Sequence, residues 1–342
     1  MQAPKTTPEI VVGIDFGTTV CTAHDNRIDR LKIHVNNVQC TGVAYSIAPE
    51  WPSPITILRW PGRLGYENRN KVTTAVAYDV RTGLPVTWGF LVDRENDDFD
   101  VHDLFKLYLD SVYQDEFEDQ PTLDEARKWF TDYLNFLFRA ITQHFDESFP
   151  RWASRRVEFL FSVPTTWKNP AMIAEVEALI KKAGFGEKPN QVAKITLTEA
   201  EAAAVCASKQ LYERNDVLVI CDAGGGTTDV NILKVTGSAF GRIELKPLSW
   251  VEGRAIGSTL IDFKVEKLIE ERLKRIQSQL QLQDSLGDVA KKMMLDKFET
   301  YKCSFGSAAS AGLDLHLRVP EISNGLDFSQ ASIRDSKMVI RQ

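Results

Sequence analysis

Two segments of this chain share one pattern, and that pattern constrains its fold more than any other feature. Residues 10–20 read Ile-Val-Val-Gly-Ile-Asp-Phe-Gly-Thr-Thr-Val, and residues 217–230 read Val-Leu-Val-Ile-Cys-Asp-Ala-Gly-Gly-Gly-Thr-Thr-Asp-Val. Each is an apolar, β-branched run that leads through an aspartate into a Gly-Thr-Thr turn. The run suits a buried strand, and the turn suits a tight hairpin beyond it. Glycine lets backbone approach a ligand closely, while successive N–H groups and hydroxyls point at an anion. A carboxylate just ahead of such a turn repels phosphate unless a divalent cation sits between them. Two such turns facing each other would clamp a metal–polyphosphate from both sides. The repeat therefore predicts nucleotide binding.

The bulk properties narrow the field. A chain of 342 residues is long enough for two domains, each with its own core. With 43% hydrophobic and 26% charged residues it has the composition of an ordinary globular protein. A net charge of −6 and a pI near 5.6 argue against a general nucleic-acid or acidic-membrane binder. Cys21, Cys40, Cys206, Cys221 and Cys303 have no metal-ligand spacing, and Cys21 and Cys221 read as small core residues. The five histidines are equally scattered. No apolar run reaches the roughly 20 residues needed to span a bilayer. The polar start, Met1 to Glu9, lacks the order of a signal peptide, so the cytoplasm is the expected location.

Along the chain, strand and helix patterns alternate. A long amphipathic helix is predicted from Pro121 to about Phe145, with Trp129, Tyr133, Phe136, Leu137 and Ala140 at helical spacing. Leu104–Val112 also reads as helical. Val157–Val163 is a strand stopped by Pro164, Asn169–Ala183 is a helix with Gly184 beyond it, and a strand at Ile195–Leu197 precedes a helix from Glu199 to Tyr212. The second strand–turn unit opens a β-rich stretch, followed by helical patterns at Ile261–Arg275 and Asp288–Tyr301. The tail holds at least one strand, Leu313–Val319. Alternating strands and helices predict an α/β chain, and the repeated turn predicts two similar lobes.

With both turns and these pieces in place, the chain resembles the actin/hexokinase/heat-shock ATPase superfamily, and within it the nucleotide-binding domain of the seventy-kilodalton heat-shock-like proteins. Gly13-Ile-Asp-Phe-Gly-Thr-Thr19 paired with Asp222-Ala-Gly-Gly-Gly-Thr-Thr-Asp229 is specific in this order and spacing. Phe161-Ser-Val-Pro-Thr-Thr-Trp167 is similar to the family's segment at the lobe crossover, and Thr198-Glu-Ala-Glu-Ala-Ala-Ala204 to its connecting helix. Lys71-Val-Thr-Thr-Ala-Val-Ala-Tyr-Asp79, Trp88-Gly-Phe90 and Phe105-Lys-Leu107 resemble a divergent branch that lacks the usual peptide-binding half. The resemblance covers about residues 10–320. It implies two α/β lobes with mixed central sheets, the actin-like ATPase or ribonuclease H-like fold. Residues 1–194 would be the first lobe with the crossover helix, and 195–342 a partial second lobe.

The family's functional residues carry over position by position. Asp15 matches a residue that orders water around Mg²⁺, and Gly17, Thr18 and Thr19 match the first phosphate turn. Lys106 matches the lysine that positions the attacking water, and Glu199 a carboxylate on the metal's water shell. Asp222 and Asp229 flank the second phosphate turn, Gly224, Gly225, Gly226 and Thr227, with Thr227 near the γ-phosphate. Glu299 and Lys302 match nucleoside contacts. Read without the family, Glu199 is also a helix-N-terminal acid favoured by the dipole, and Lys106 a surface lysine on a short helix.

The resemblance therefore implies a weak ATP hydrolase that takes ATP or ADP with Mg²⁺ and couples slow hydrolysis to lobe closure. There are departures. Cys303 replaces the arginine that stacks on the base, Met172 replaces an interdomain signalling arginine, and no second glycine-rich adenosine loop follows Lys302. The second lobe is on that ground expected to be incomplete. Two rivals stand beside this reading: a non-catalytic nucleotide- or partner-binding relative with a degraded base pocket, and a small-molecule kinase on the same fold. No nucleic-acid or membrane partner is expected.

Overall fold

The computed structural model describes residues 7–17, 40–63, 68–94, 96–110, 121–167, 169–207, 212–239, 242–248, 252–254, 256–280, 282–307 and 312–341. They fall into two compact units, one reaching Gly257 and one starting at Ser258. In the first unit β1 (Ile10–Phe16) buries Ile10, Val12, Ile14 and Phe16 on one face and turns Asp15 to the other. That alternation follows from the two-residue period of a strand. β2 (Cys40–Ile47) runs antiparallel to β1, with Gly42 opposite Asp15. β3 (Ile55–Thr56) and β4 (Lys71–Thr73) pair with the far side of β2, where Lys71 stands opposite Gly42.

A smaller antiparallel sheet follows, with β5 (Val76–Asp79) between β6 (Pro85–Trp88) and β7 (Phe99–His102). The helix expected at Leu104–Val112 is, within the described residues, a single 3-10 turn over Leu107–Leu109. Leu104 takes a left-handed φ of 58° and Asp110 returns to extended backbone, so the segment closes one turn and stops.

α1 (Leu123–Ser148) is the long amphipathic helix. Thr122 caps it: its hydroxyl accepts from the Glu125 N–H, and the Glu125 carboxylate accepts from the Thr122 N–H at 2.8 Å. The buried stripe is Ala126, Phe130, Tyr133, Leu134, Leu137, Ile141 and Phe145, while Trp129, Phe136 and Ala140 flank it half-buried. β8 (Val157–Val163) then lies parallel to β1. α2 (Pro170–Lys182) is capped by Asn169, carries Pro at its first turn, and is followed by Gly184 with φ +111°. β9 (Gln191–Thr198), longer than the sequence pattern indicated, lies parallel to β8 and feeds α3 (Glu199–Ala207). The sheet order β3-β2-β1-β8-β9 is thus mixed, and α1 packs on it through rings: Phe16 meets Phe130 at 5.0 Å edge-on, and Tyr45 meets Phe145 at 5.2 Å.

A third sheet of this unit is antiparallel in its described strands: β10 (Val217–Ala223), β11 (Thr228–Ala239), β12 (Arg242–Pro247) and β13 (Glu252–Arg254). β10 and β11 form the hairpin that the second Gly-Thr-Thr segment predicted. Cys221, expected in the core, is exposed, because it shares the outward row of β10 with Val217 and Val219, which are 53% and 66% exposed. Cys21 lies outside the described residues.

The second unit pairs α4 (Ser258–Lys274) with α5 (Leu286–Ser304) and adds β14 (Leu315–Arg318), β15 (Ile333–Arg334) and β16 (Lys337–Ile340), ordered β14-β16-β15. Ile269, Leu273, Val289, Met293, Leu317 and Met338 make its core. The tail, read as holding at least one strand, has three. The chain is α/β with several sheets, as its sequence predicted. Among the described residues, no helix is long and apolar enough to cross a membrane.

Candidate functional site

Lys106 is a buried charge in the first unit, 2% exposed at the start of the Leu107–Leu109 turn. Its ammonium donates to the Phe16 carbonyl, at the end of β1, and to the Glu199 carboxylate, at the start of α3. An interior lysine needs such acceptors, since an unpaired buried charge is very costly. The surface-lysine alternative is thereby removed. Glu199 is likewise no solvated cap: its side chain is 14% exposed. Burial raises its carboxyl above the ordinary value, Lys106 pulls it back, and the charges of Asp15 and Asp222 push it up further.

The second turn is closed by the Gly224 N–H donating to the Thr227 carbonyl at 2.8 Å. Asp222 and Asp229 bracket it and face each other directly across β10 and β11. Asp229 is 1% exposed. Burial is the main cause that raises its carboxyl, and Asp222 adds to it. A hydroxyl from Thr227 at 3.2 Å, the charge of Lys106 and the Thr165 N–H act the other way. One oxygen of this carboxylate, Oδ1, is buried without a hydrogen-bond partner.

Five sequence-selected side chains, Asp15, Lys106, Glu199, Asp222 and Asp229, are thus close enough to act on one another's protonation. Gly17 is buried after β1, and Gly225 and Gly226 are buried in the second turn. Gly226 rests on Leu107, which seats the turn against the Lys106 segment. Thr18 and Thr19 lie outside the described residues. Lys302 belongs to the second unit, 8% exposed, where it donates to Asp262 at 2.8 Å. Glu299 is on α5, and its side chain is outside what the structure describes.

Three contributors escaped sequence reasoning. Lys71 pairs with Asp15 at 2.9 Å. Gly253 faces Asp229, and a Cβ there would stand 2.4 Å from Oδ1. Gly257 crosses the Gly224–Thr227 turn so closely that a Cβ would be 2.0 Å from the Gly225 carbonyl oxygen. The Gly-Arg-Ala-Ile-Gly spacing at 253–257 was the available signal.

Among the described residues, no three His, Cys, Asp or Glu side chains gather closely enough to ligate a metal ion directly. The donor set instead suits a hydrated divalent cation. Asp15 pairs with Lys71 and Glu199 with Lys106, the charges of Asp15 and Asp222 reach Glu199, that of Asp222 reaches Asp229, and Oδ1 of Asp229 is buried without a hydrogen-bond partner. Such a cation keeps several waters and meets protein through few carboxylates.

No protein-family model matches the sequence, and no protein of curated function matches it. Among solved structures, MreB5 of Spiroplasma citri bound to ADP is similar, with a TM-score of 0.46 at 13% identity, covering 91% of this chain and 68% of that one. MreB 5 of the same organism bound to AMPPNP gives a TM-score of 0.44 at 13% identity and the same coverage.

Proposed function

We propose that this chain is a heat-shock-like ATP-binding domain that holds Mg·ATP or Mg·ADP and hydrolyses ATP slowly, as a timer for lobe closure. The observation that carries the reading is the convergence of Asp15, Lys106, Glu199, Asp222 and Asp229 around a closed glycine turn. Phosphoryl transfer requires mainly positioning and charge stabilisation, and these residue types supply both. Magnesium, when bound, would neutralise phosphate charge, with Asp15, Glu199, Asp222 and Asp229 holding its waters. Lys106, fixed by the Phe16 carbonyl and Glu199, would orient the attacking water, and the backbone of Gly224 to Thr227 would hold the phosphates. In this reading residues 1–194 act as the first lobe and 195–342 as the second.

A second reading, recognition through the phosphates with weak choice of base, is favoured by one observation. Lys302, a nucleoside contact by resemblance, is engaged by Asp262 inside the second unit. Thermal-shift titration with Mg·ADP, Mg·ATP and Mg·GTP separates the two. A ligand bound only by the folded state raises stability by RT ln(1 + [L]/Kd), about 2.7 kcal/mol at 100 Kd. The ATPase reading expects magnesium-dependent shifts for adenine nucleotides that are lost in an Asp15→Ala, Asp229→Ala double variant. Equal shifts with GTP favour phosphate-only recognition. No shift in the folded protein sinks both.

A further inference from the structure

Asp15, Gly42 and Lys71 form one row across three adjacent strands: Asp15 is opposite Gly42, and Gly42 opposite Lys71. Neighbouring strands are about 4.8 Å apart, so residues at the ends of such a row are separated by roughly 10 Å of backbone. A lysine spans that distance only if nothing stands between. Glycine at position 42 leaves the lane open: the Lys71 stem lies over it, and a Cβ there would be 3.3 Å from Cγ and 3.5 Å from Cε of Lys71. Along this lane the Lys71 ammonium reaches Asp15 Oδ2 at 2.9 Å. The pair is partly open to solvent, with side chains 25% and 46% exposed. It contrasts with Lys106, which is sealed at 2% and anchored by two acceptors.

We propose that Lys71 is a built-in counter-cation for Asp15, antagonistic to the divalent cation at the same carboxylate. The inference rests on the nucleotide reading and deepens it. One carboxylate carries a single charge, and two cations drawing on it weaken each other's hold. By linkage the weakening is reciprocal. The Lys71 ammonium therefore partly substitutes for the metal when nucleotide binds without it, and lowers the advantage that the metal gives when present. Gly42 is the positioning residue, acting only by leaving the lane clear.

The test is calorimetric binding of ADP to the full chain, with EDTA and with saturating magnesium. It yields the ratio of the two dissociation constants, a readout independent of turnover. Lys71→Met should enlarge that ratio about two- to fivefold, the span a partly exposed ion pair supports. Gly42→Val keeps every charge but blocks the lane, and should enlarge the ratio in the same direction. In an Asp15→Asn background, Lys71→Met should leave the ratio unchanged, since the shared carboxylate is gone. A ratio unaltered by Lys71→Met, or altered equally with and without Asp15, overturns the proposal while the nucleotide reading stands. Absence of ADP binding by the unaltered chain overturns the nucleotide reading and this inference with it.

Discussion

Asp222 and Asp229 stand directly opposite each other across the β10–β11 ladder, a register that places two carboxylates on one face of a sheet. Like charges in that position destabilise a strand pair, and here the cost appears as a raised Asp229 carboxyl, with burial the larger cause. An unfolded aspartate titrates near pH 3.9. Above that value the folded state holds a proton that the unfolded chain has released. The stability tied to it is complete below about pH 3.9 and is lost as pH rises through the raised folded value. Asp229→Asn removes the charge and keeps an acceptor for Thr165 and Thr227. The variant should be more stable than the parent at pH 7 and lose that advantage in acid, as read by urea midpoints across pH. It should also bind Mg·ADP more weakly.

Lys106→Met leaves Glu199 in its enclosed position with its ammonium partner removed. Breaking a buried pair from one side costs about 3–5 kcal/mol. Denaturant unfolding at pH 7 should show a loss of that order, smaller when Glu199→Gln is added, because the uncompensated charge is then gone.

Gly257→Ala would place a methyl group within the Gly225 peptide, where no side chain can swing aside. Overpacking of this kind costs about 1–3 kcal/mol. The turn between β10 and β11 must shift, so nucleotide affinity should fall together with the melting temperature. Gly83→Ala serves as the comparison for substitution of a glycine by itself: its Cβ meets nothing within 4 Å, although its φ of +64° carries its own backbone strain.

Thr122→Ala removes the cap of α1. The expected loss is about 1 kcal/mol, measured by thermal unfolding, with Mg·ADP affinity unchanged because the cap is made by residues outside the candidate site.

Much of this was legible in the chain. The Thr122–Glu125 cap, the apolar stripe of α1, the strand of the first repeat, the strand and turn of the second and the stop at Pro164 are local signals, and each became the element it predicted; the Thr-Thr of the first turn lies outside the described residues. The candidate residues Lys106 and Glu199 were visible by resemblance alone; their mutual contact spans 93 positions and no local pattern encodes it. The Asp15–Gly42–Lys71 row is a matter of register, which is fixed only when three strands align. The same is true of Gly253 and Gly257, whose role depends on which backbone passes beneath them. Cys221 was misread because an apolar run does not say that one row of its strand faces outward.

That outward row has a practical consequence. Cys221 is one position from Asp222, yet the pleat sends their side chains to opposite faces of β10. A thiol-reactive dye placed there, in a chain whose other cysteines are changed to serine, would ride on the reverse of the sheet from the carboxylates. Its emission would report motion of the hairpin while leaving the Gly224–Thr227 turn unobstructed, making the strand its own optical lever.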